Sequence, residues 1–354
     1  MRSVPLTSDD ILIDTQKVTT GFFTGGLGTI AGSSLVTASL SAEQHKYYTN
    51  LQYSSEDHFS ITYGNIDGSG SSASSLNAGV GETEAVYKSY ASYLLRTDDI
   101  EGGFKINNSS VTDKDVYFIV AERAKMKDRI NPGSWTLGLS GSTSLIGDTA
   151  HGVSLTLTDD SKTTAPFSSP IGPRYNVYAG AAGTVSSTTT KYGYFWPDAG
   201  CIALSNTSLS SSIPGVRGRA DASGSFFGGG SDAAKRFIGF HPSRVNSANH
   251  YNRLATAMHI YTGNQQFRAE EDQTTVTYFC RALSREFNHS SNPTFVSGSE
   301  GRYRIEDFEG NPQTFITTIG LYNNQEECVA VGRLSKALLK NYSTEAITKV
   351  KLTY

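Results

Sequence analysis

Period-two alternation recurs along this chain and limits what it can fold into. Trp135, Leu137 and Leu139 alternate with polar or small residues, as do Val276, Tyr278 and Cys280. Val153, Leu155 and Leu157 are separated by Ser154, Thr156 and Thr158. Such runs present one apolar face and one wet face, the signature of half-buried strands. Asp115-Val-Tyr-Phe-Ile-Val-Ala is different, a continuous apolar run that reads as a strand buried on both faces. Turn residues punctuate these runs: Ser54-Ser-Glu-Asp between two strands at 47–53 and 58–63, Asn131-Pro-Gly, and Asp159-Asp-Ser. Arg174-Tyr-Asn-Val-Tyr pairs in expectation with the segment from Tyr192 to Leu204, where Pro197 marks an edge or bulge. Thr314 to Tyr322 and Cys328 to Leu334 form an expected terminal hairpin around Asn323-Asn-Gln-Glu-Glu.

Two helices interrupt this pattern. One is expected from Glu82 or Thr83 to near Arg96, with Ala85, Val86, Tyr90, Tyr93 and Leu94 on its apolar face. Its tyrosines Tyr87, Tyr90 and Tyr93 pack on a sheet or on another chain. The second is expected over Ser243–Tyr261, with Val245, Leu254, Ala257, Met258 and Tyr261 as its apolar set and Gly263 as its stop. Long Gly/Ser-rich loops are expected at 64–81 and 205–232. The fold class is therefore α+β, mostly antiparallel β with two main helices. An N-terminal α+β region over 1–160 and a β-rich region over 161–354 are expected, or one intertwined domain. No period of about 20–50 residues indicates a repeat array.

The chain has 354 residues, of which 37% are hydrophobic and only 18% charged. Tyr (19) and Phe (17) are too abundant for a disordered chain. No apolar run reaches the ~18 residues of a membrane helix, and the first ten residues lack the apolar core of a secretory signal. A net charge of −3 and a pI near 6.2 remove the global electrostatic case for nucleic acid and leave only a local basic face open, so no specific nucleic-acid partner is expected. Cys201, Cys280 and Cys328 are few, odd in number and far apart, which suits a reducing compartment better than a disulfide scaffold.

Local chemistry is sparse. Gly26-Leu-Gly-Thr-Ile-Ala matches a dinucleotide fingerprint by letter, but the residues after it are β-branched and Ser/Thr-rich rather than helical, so a turn-rich β segment is expected and no cofactor. The seven histidines form no HxH, HxxxH or HExxH. His250 and His259 fall on opposite sides of a helix, so no metal site is expected. Neither GxSxG nor a P-loop occurs. The acidic pairs Asp98-Asp99, Asp159-Asp160, Glu270-Glu271 and Glu326-Glu327 read as solvated turns or polar strand positions. Arg123, Lys125, Lys127 and Arg129, and Arg333, Lys336, Lys340, Lys349 and Lys351, read as surface or subunit contacts. No catalytic residue is expected.

Several blocks carry a resemblance: Phe23-Thr-Gly-Gly-Leu-Gly-Thr, Lys46-Tyr-Tyr, Tyr63-Gly, Ala85-Val-Tyr-Lys-Ser-Tyr, Asp115-Val-Tyr-Phe-Ile and Arg123-Ala-Lys-Met-Lys-Asp-Arg-Ile-Asn-Pro-Gly-Ser-Trp. Further on stand Gly172-Pro-Arg-Tyr-Asn-Val, Tyr192-Gly-Tyr-Phe-Trp-Pro-Asp, Ser284-Arg-Glu-Phe-Asn, Asn311-Pro-Gln-Thr-Phe-Ile-Thr-Thr-Ile-Gly-Leu-Tyr-Asn, Val331-Gly-Arg-Leu-Ser-Lys and Ile347-Thr-Lys-Val-Lys-Leu-Thr-Tyr. Together they resemble the virion structural proteins of contractile-tailed, marine cyanophage-type bacteriophages. The resemblance implies a non-enzymatic tail or baseplate component, assembled in the host bacterial cytoplasm as a homo- or hetero-oligomer with other virion proteins.

On that reading the candidate partner contacts are Tyr194, Phe195 and Trp196, Phe226 and Phe227, and Lys349, Lys351 and Tyr354. Phe226-Phe227 either tucks onto its own domain or inserts into a partner, and the last strand pairs with a partner's open sheet edge or closes its own fold. The alternatives are a receptor- or carbohydrate-binding adhesin module, which requires an aromatic cleft with convergent polar groups, and a hydrolase, which requires clustered carboxylates or a metal.

Overall fold

The structure, a computed structural model, describes residues 4–39, 47–68, 81–96, 102–107, 110–141, 153–212, 250–259, 261–298 and 301–354. It is mainly antiparallel β with few helices. The first strands are β1 (Ile11–Gly21), β2 (Thr29–Ala31), β3 (Val36–Thr37), β4 (Tyr48–Tyr53) and β5 (Glu56–Asn65), followed by helix α1 (Glu82–Leu94). Next come β6 (Asp115–Ala121), α2 (Arg123–Met126), β7 (Arg129–Ile130), β8 (Leu137–Gly141), β9 (Val153–Asp159), β10 (Phe167–Ser169), β11 (Gly172–Ala181), β12 (Thr184–Ser187), β13 (Gly193–Trp196) and β14 (Cys201–Ser205). Helices α3 (Asn206–Ser212) and α4 (His250–His259) lead to β15 (Asn264–Gln266), β16 (Arg268–Ala282), β17 (Val296–Ser297), β18 (Arg302–Tyr303), β19 (Thr314–Tyr322), β20 (Cys328–Lys340) and β21 (Ala346–Thr353).

The chain divides into two compact units, Val18–Glu271 and Met1–Lys17 with Asp272–Tyr354. The boundary expected at residue 160 falls instead inside the larger unit, because β9 and β11 are hydrogen-bonded neighbours in one sheet.

The larger unit is built on an 11-stranded sheet ordered β3-β4-β5-β6-β14-β13-β11-β9-β8, with β10 and β12 also on β11. Strand β6 explains its own composition: it lies between β5 and β14, and side chains on both of its faces are covered. Tyr117, Ile119 and Ala121 join one buried cluster, and Val116 and Phe118 join the other. The first cluster takes in Leu254, Ala255, Ala257 and Met258 of α4, together with Phe22, Phe59, Trp135 and Phe267. Trp135 and Phe267 stack at 5.9 Å and 6°. The second takes in Tyr87, Ala91 and Leu94 of α1.

The buried face of α1 is Thr83, Glu84, Tyr87, Ala91 and Leu94. Of the expected apolar set, Ala85 and Tyr93 are exposed, while Val86 and Tyr90 pack on the cluster's margin. The face is rotated because Tyr87 is held by polar as well as apolar contacts. Its hydroxyl donates to the Asp113 carbonyl and accepts from the Phe104 amide. The described part of the second helix is shorter than expected, and 243–249 lie outside the described residues. Helix α3 begins inside the segment expected to be loop; Leu209 supplies its one long apolar side chain and is fully buried.

Turns are set by local chemistry. Ser54 and Ser55 both take positive φ (51° and 62°) in the two-residue connection between β4 and β5. Gly133 (φ +71°) ends the Asn-Pro-Gly turn and stands so close to Gly183 that a Cβ on Gly183 would lie 2.4 Å from the Gly133 carbonyl oxygen.

In the smaller unit, β16 pairs with β21 from Thr275↔Thr353 to Ala282↔Ala346, and the sheet order is β1-β16-β21. β17 and β18 form a short hairpin. β19 and β20 form a separate two-stranded ribbon, the expected terminal hairpin extended to Lys340.

Candidate functional site

The expected contact strand is core. Phe195 is fully buried against Trp135, with ring centroids 5.2 Å apart. Tyr194 and Trp196 point to the opposite face of β13 and are buried in the second cluster. This corrects their reading as partner contacts: β13 sits between β11 and β14, and both faces of the run are covered. Phe226 and Phe227 lie outside the described residues. Lys349, Lys351 and Tyr354 are exposed, and the strand that leads to Tyr354 pairs with β16 of its own chain. Lys349 places its ammonium 5.9 Å from the Phe279 ring. With β1 and β21 flanking β16, β21 ends that sheet.

The acidic pairs divide. Asp159 and Asp160 are buried rather than solvated. Asp159 accepts two contacts from the Gly133 amide, at 3.0 and 2.9 Å, and burial raises its pKa. Asp160 accepts from the amide and side chain of Asn176 at 3.0 and 2.9 Å. They are turn locks, which satisfy buried donors that the strand ladders leave open. Glu270 is buried as well, with Arg129 Nε at 3.6 Å and Asn131 donating to it. Asp98-Asp99 lies outside the described residues, and Glu326-Glu327 is exposed.

The first basic cluster is spent within the chain. Lys125 pairs with Glu56, Lys127 with Glu271, and Arg129 lies 3.8 Å from Asp198. Lys340, expected at the surface, is fully buried; its ammonium donates to the Ser284 carbonyl, Asn288 Oδ1 and the Asn341 carbonyl, and burial lowers its pKa.

The described constellation most like a catalytic one is Thr24, His58, Glu56 and Lys125. Thr24 Oγ1 stands 3.1 Å from His58 Nε2, yet it donates to Glu56 Oε2 at 2.7 Å. His58 Nε2 accepts the Thr24 amide at 3.0 Å, and Nδ1 donates to the Glu56 carbonyl at 2.8 Å. Burial lowers the pKa of His58 and favours the neutral ring that these two bonds require. Both the base lone pair and the hydroxyl proton are engaged in closing the turn at Thr24, which makes the cluster a lock rather than a nucleophile and its base.

Among the described residues no group of three His, Cys, Asp or Glu side chains is placed to hold a metal ion. His259 Nδ1 lies 2.6 Å from the Leu35 carbonyl, His289 is exposed, and His45, His151 and His241 lie outside the described residues. The three cysteines are free, and burial pushes the Cys201 thiol far up. After the Gly26–Gly28 segment comes the short strand β2, so the dinucleotide fingerprint lacks its helix. No helix among the described residues is long and apolar enough to cross a membrane.

The feature that stands out is an apolar surface on the smaller unit. Val276, Ala282 and Ala346, with Pro312, are its buried apolar side chains among the described residues. None of them belongs to either of the two buried clusters. Phe315, Val329 and Val331 are 61%, 64% and 65% exposed on the β19–β20 ribbon. Leu338, Leu339 and Tyr322 are exposed on the same ribbon, as are Ile11, Leu12 and Ile13 on β1 and Ile347 on β21. Ile316, Ile319 and Leu321 of β19 are only half-buried, so both faces of the ribbon are apolar. A lone two-stranded hairpin is at best marginally stable in water, and clustered exposed apolar side chains mark interaction surfaces.

Comparison of the chain with protein-family models, curated proteins and solved structures finds no match.

Proposed function

We infer that the protein is a non-enzymatic structural subunit of a tailed-phage virion, a tail or baseplate component that works through protein–protein contacts. The observation that carries this reading is the β19–β20 ribbon. Its 13-residue strand β20 and 9-residue partner β19 are apolar on both faces and have no third strand among the described residues. Such a ribbon gains its full hydrophobic stabilisation when neighbouring chains cover it. The edge strand β21 offers backbone donors and acceptors to neighbours as well. At Thr24–His58 the base lone pair and the hydroxyl proton are already engaged, which favours a contact role over acid–base chemistry there.

The contact set follows from exposure. Phe315, Val329 and Val331 are the proposed anchors on the ribbon, and the exposed Lys349, Lys351 and Tyr354 the proposed contacts on and after β21. The test is mass spectrometry of purified tailed particles from the phage whose genome encodes this chain, combined with limited proteolysis. The expected result is a fixed copy number that survives high-salt washing, with the 301–354 region cut in the free chain and resistant in particles. A chain absent from particles, or one washed off without harm to them, overturns the reading.

A further inference from the structure

The larger unit carries a second feature that the subunit reading does not use. On the face of the sheet where β10, β11 and β13 meet, two cations share one aromatic ring. Arg174 places its guanidinium carbon 4.2 Å from the Tyr194 ring centroid and 5.1 Å from that of Phe167, its direct partner across β10–β11. Lys191 places its ammonium 4.8 Å from the same Tyr194 ring and donates to the Tyr194 hydroxyl at 3.2 Å. That hydroxyl in turn donates to the Lys105 carbonyl at 2.7 Å, which fixes the ring.

These cations are held but not neutralised. Among the described residues Arg174 and Lys191 face no carboxylate within ion-pair distance, and Arg174 Nε is buried without a hydrogen-bond acceptor. In the first basic cluster, by contrast, Lys125, Lys127 and Arg129 all face carboxylates. The Asp160 carboxylate, on the turn after β9, is already engaged by the Asn176 amide and side chain. Aromatic faces order a guanidinium without consuming its N–H donors. The result is a preorganised donor set lacking an oxyanion, beside a Phe167 ring that is 46% exposed.

We propose that the Arg174–Lys191–Tyr194–Phe167 cluster binds an acidic saccharide, its carboxylate or sulfate on Arg174 and Lys191 and the apolar face of its ring on Phe167. A planar guanidinium matches a carboxylate or sulfate edge with two N–H donors. The exposed aromatic ring favours a sugar over a free inorganic anion, which has no apolar face to offer it. A net charge of −3 offers a polynucleotide no global electrostatic attraction. The inference does not depend on the subunit reading.

The test is titration calorimetry of the full-length chain with a uronate oligosaccharide, a sulfated oligosaccharide, a neutral glucan, inorganic sulfate and a single-stranded oligonucleotide. The expected result is binding of one or both acidic saccharides, with the neutral glucan silent and sulfate at least about tenfold weaker, the loss of the ring contact. Arg174→Gln weakens saccharide binding by about tenfold or more through loss of the charge-assisted contact. Lys191→Gln, a partly exposed position whose replacement leaves the core intact, weakens it by a smaller factor, and Phe167→Ala removes the preference for saccharide over sulfate. No binding of either acidic saccharide at millimolar concentration overturns the proposal. So does binding unchanged in Lys191→Gln and Phe167→Ala, or equally tight binding of the oligonucleotide. A chain incorporated into particles that binds no saccharide refutes this site alone, whereas saccharide binding by a chain absent from particles refutes the subunit reading alone.

Discussion

The two units spend similar residues in opposite ways. In the larger unit, aromatic and aliphatic side chains are buried on both faces of one sheet, with Trp135, Phe195, Phe118 and Phe267 fully removed from water. In the smaller unit, Phe315, Val329, Val331 and Ile347 have equal apolar character and remain more than half exposed. Composition is therefore not what separates the regions. The larger sheet sets six strands from β4 to β11 in continuous hydrogen-bonded order, whereas β19 and β20 have only each other among the described residues. A core requires a second layer, and among the described residues no third strand joins the smaller unit's ribbon, whose apolar side chains stay exposed or only half-buried.

The largest expected effect breaks the larger unit directly. Trp135→Ala removes a fully buried ring that stacks on Phe267 and meets Phe195, at a cost of about 3–5 kcal/mol in urea unfolding. The matching substitution Val331→Ala in the ribbon changes the free chain's stability by less than about 0.5 kcal/mol but weakens assembly, read by sedimentation against concentration. Equal costs at the two sites would break the comparison. Next in size is Asp160→Ala, which strands the Asn176 amide and side chain inside the larger unit and costs about 1–3 kcal/mol.

A smaller, pH-dependent effect concerns His58. Its folded pKa is lowered by burial, so the unfolded chain takes up the proton more readily. Stability is complete above the ordinary histidine pKa and declines as pH falls through it towards the depressed folded value. Urea midpoints collected across that range show the decline, and His58→Gln flattens it. The smallest perturbation is chemical labelling: Cys328, exposed on the ribbon, reacts with a thiol reagent in the free native chain, while Cys201 reacts only on unfolding. Protection of Cys328 in particles sharpens the contrast between the units.

Legibility in the sequence divides along the same line. Strand β6 and the hairpin over 314–334 announce themselves because continuous apolar runs and paired alternations depend only on neighbours along the chain, whereas the extension of its second strand to Lys340 does not. The fate of Tyr194, Phe195 and Trp196 was not legible, since an aromatic run reads alike in a central strand and at an interface; only the flanking β11 and β14 decide it. Asp159 and Asp160 misled because a turn carboxylate is usually solvated, and here Gly133 and Asn176 approach from other segments. The Arg174–Tyr194–Lys191 cluster had no linear signal beyond scattered basic residues, because folding brings together positions up to 89 residues apart in the case of Tyr194 and Lys105. Helix α3 was hidden by its serines, which favour turns over helix interiors.

The most direct test of the central claim is amide hydrogen exchange, followed by mass spectrometry, on the free full-length chain and on the same chain in assembled particles. Slow exchange is expected for β6 and β14 in both states, and fast exchange for β19 and β20 in the free chain that becomes slow on assembly. Protection of β19 and β20 in the free monomer equal to that of β6 would contradict it, because the ribbon would then be stable without neighbours.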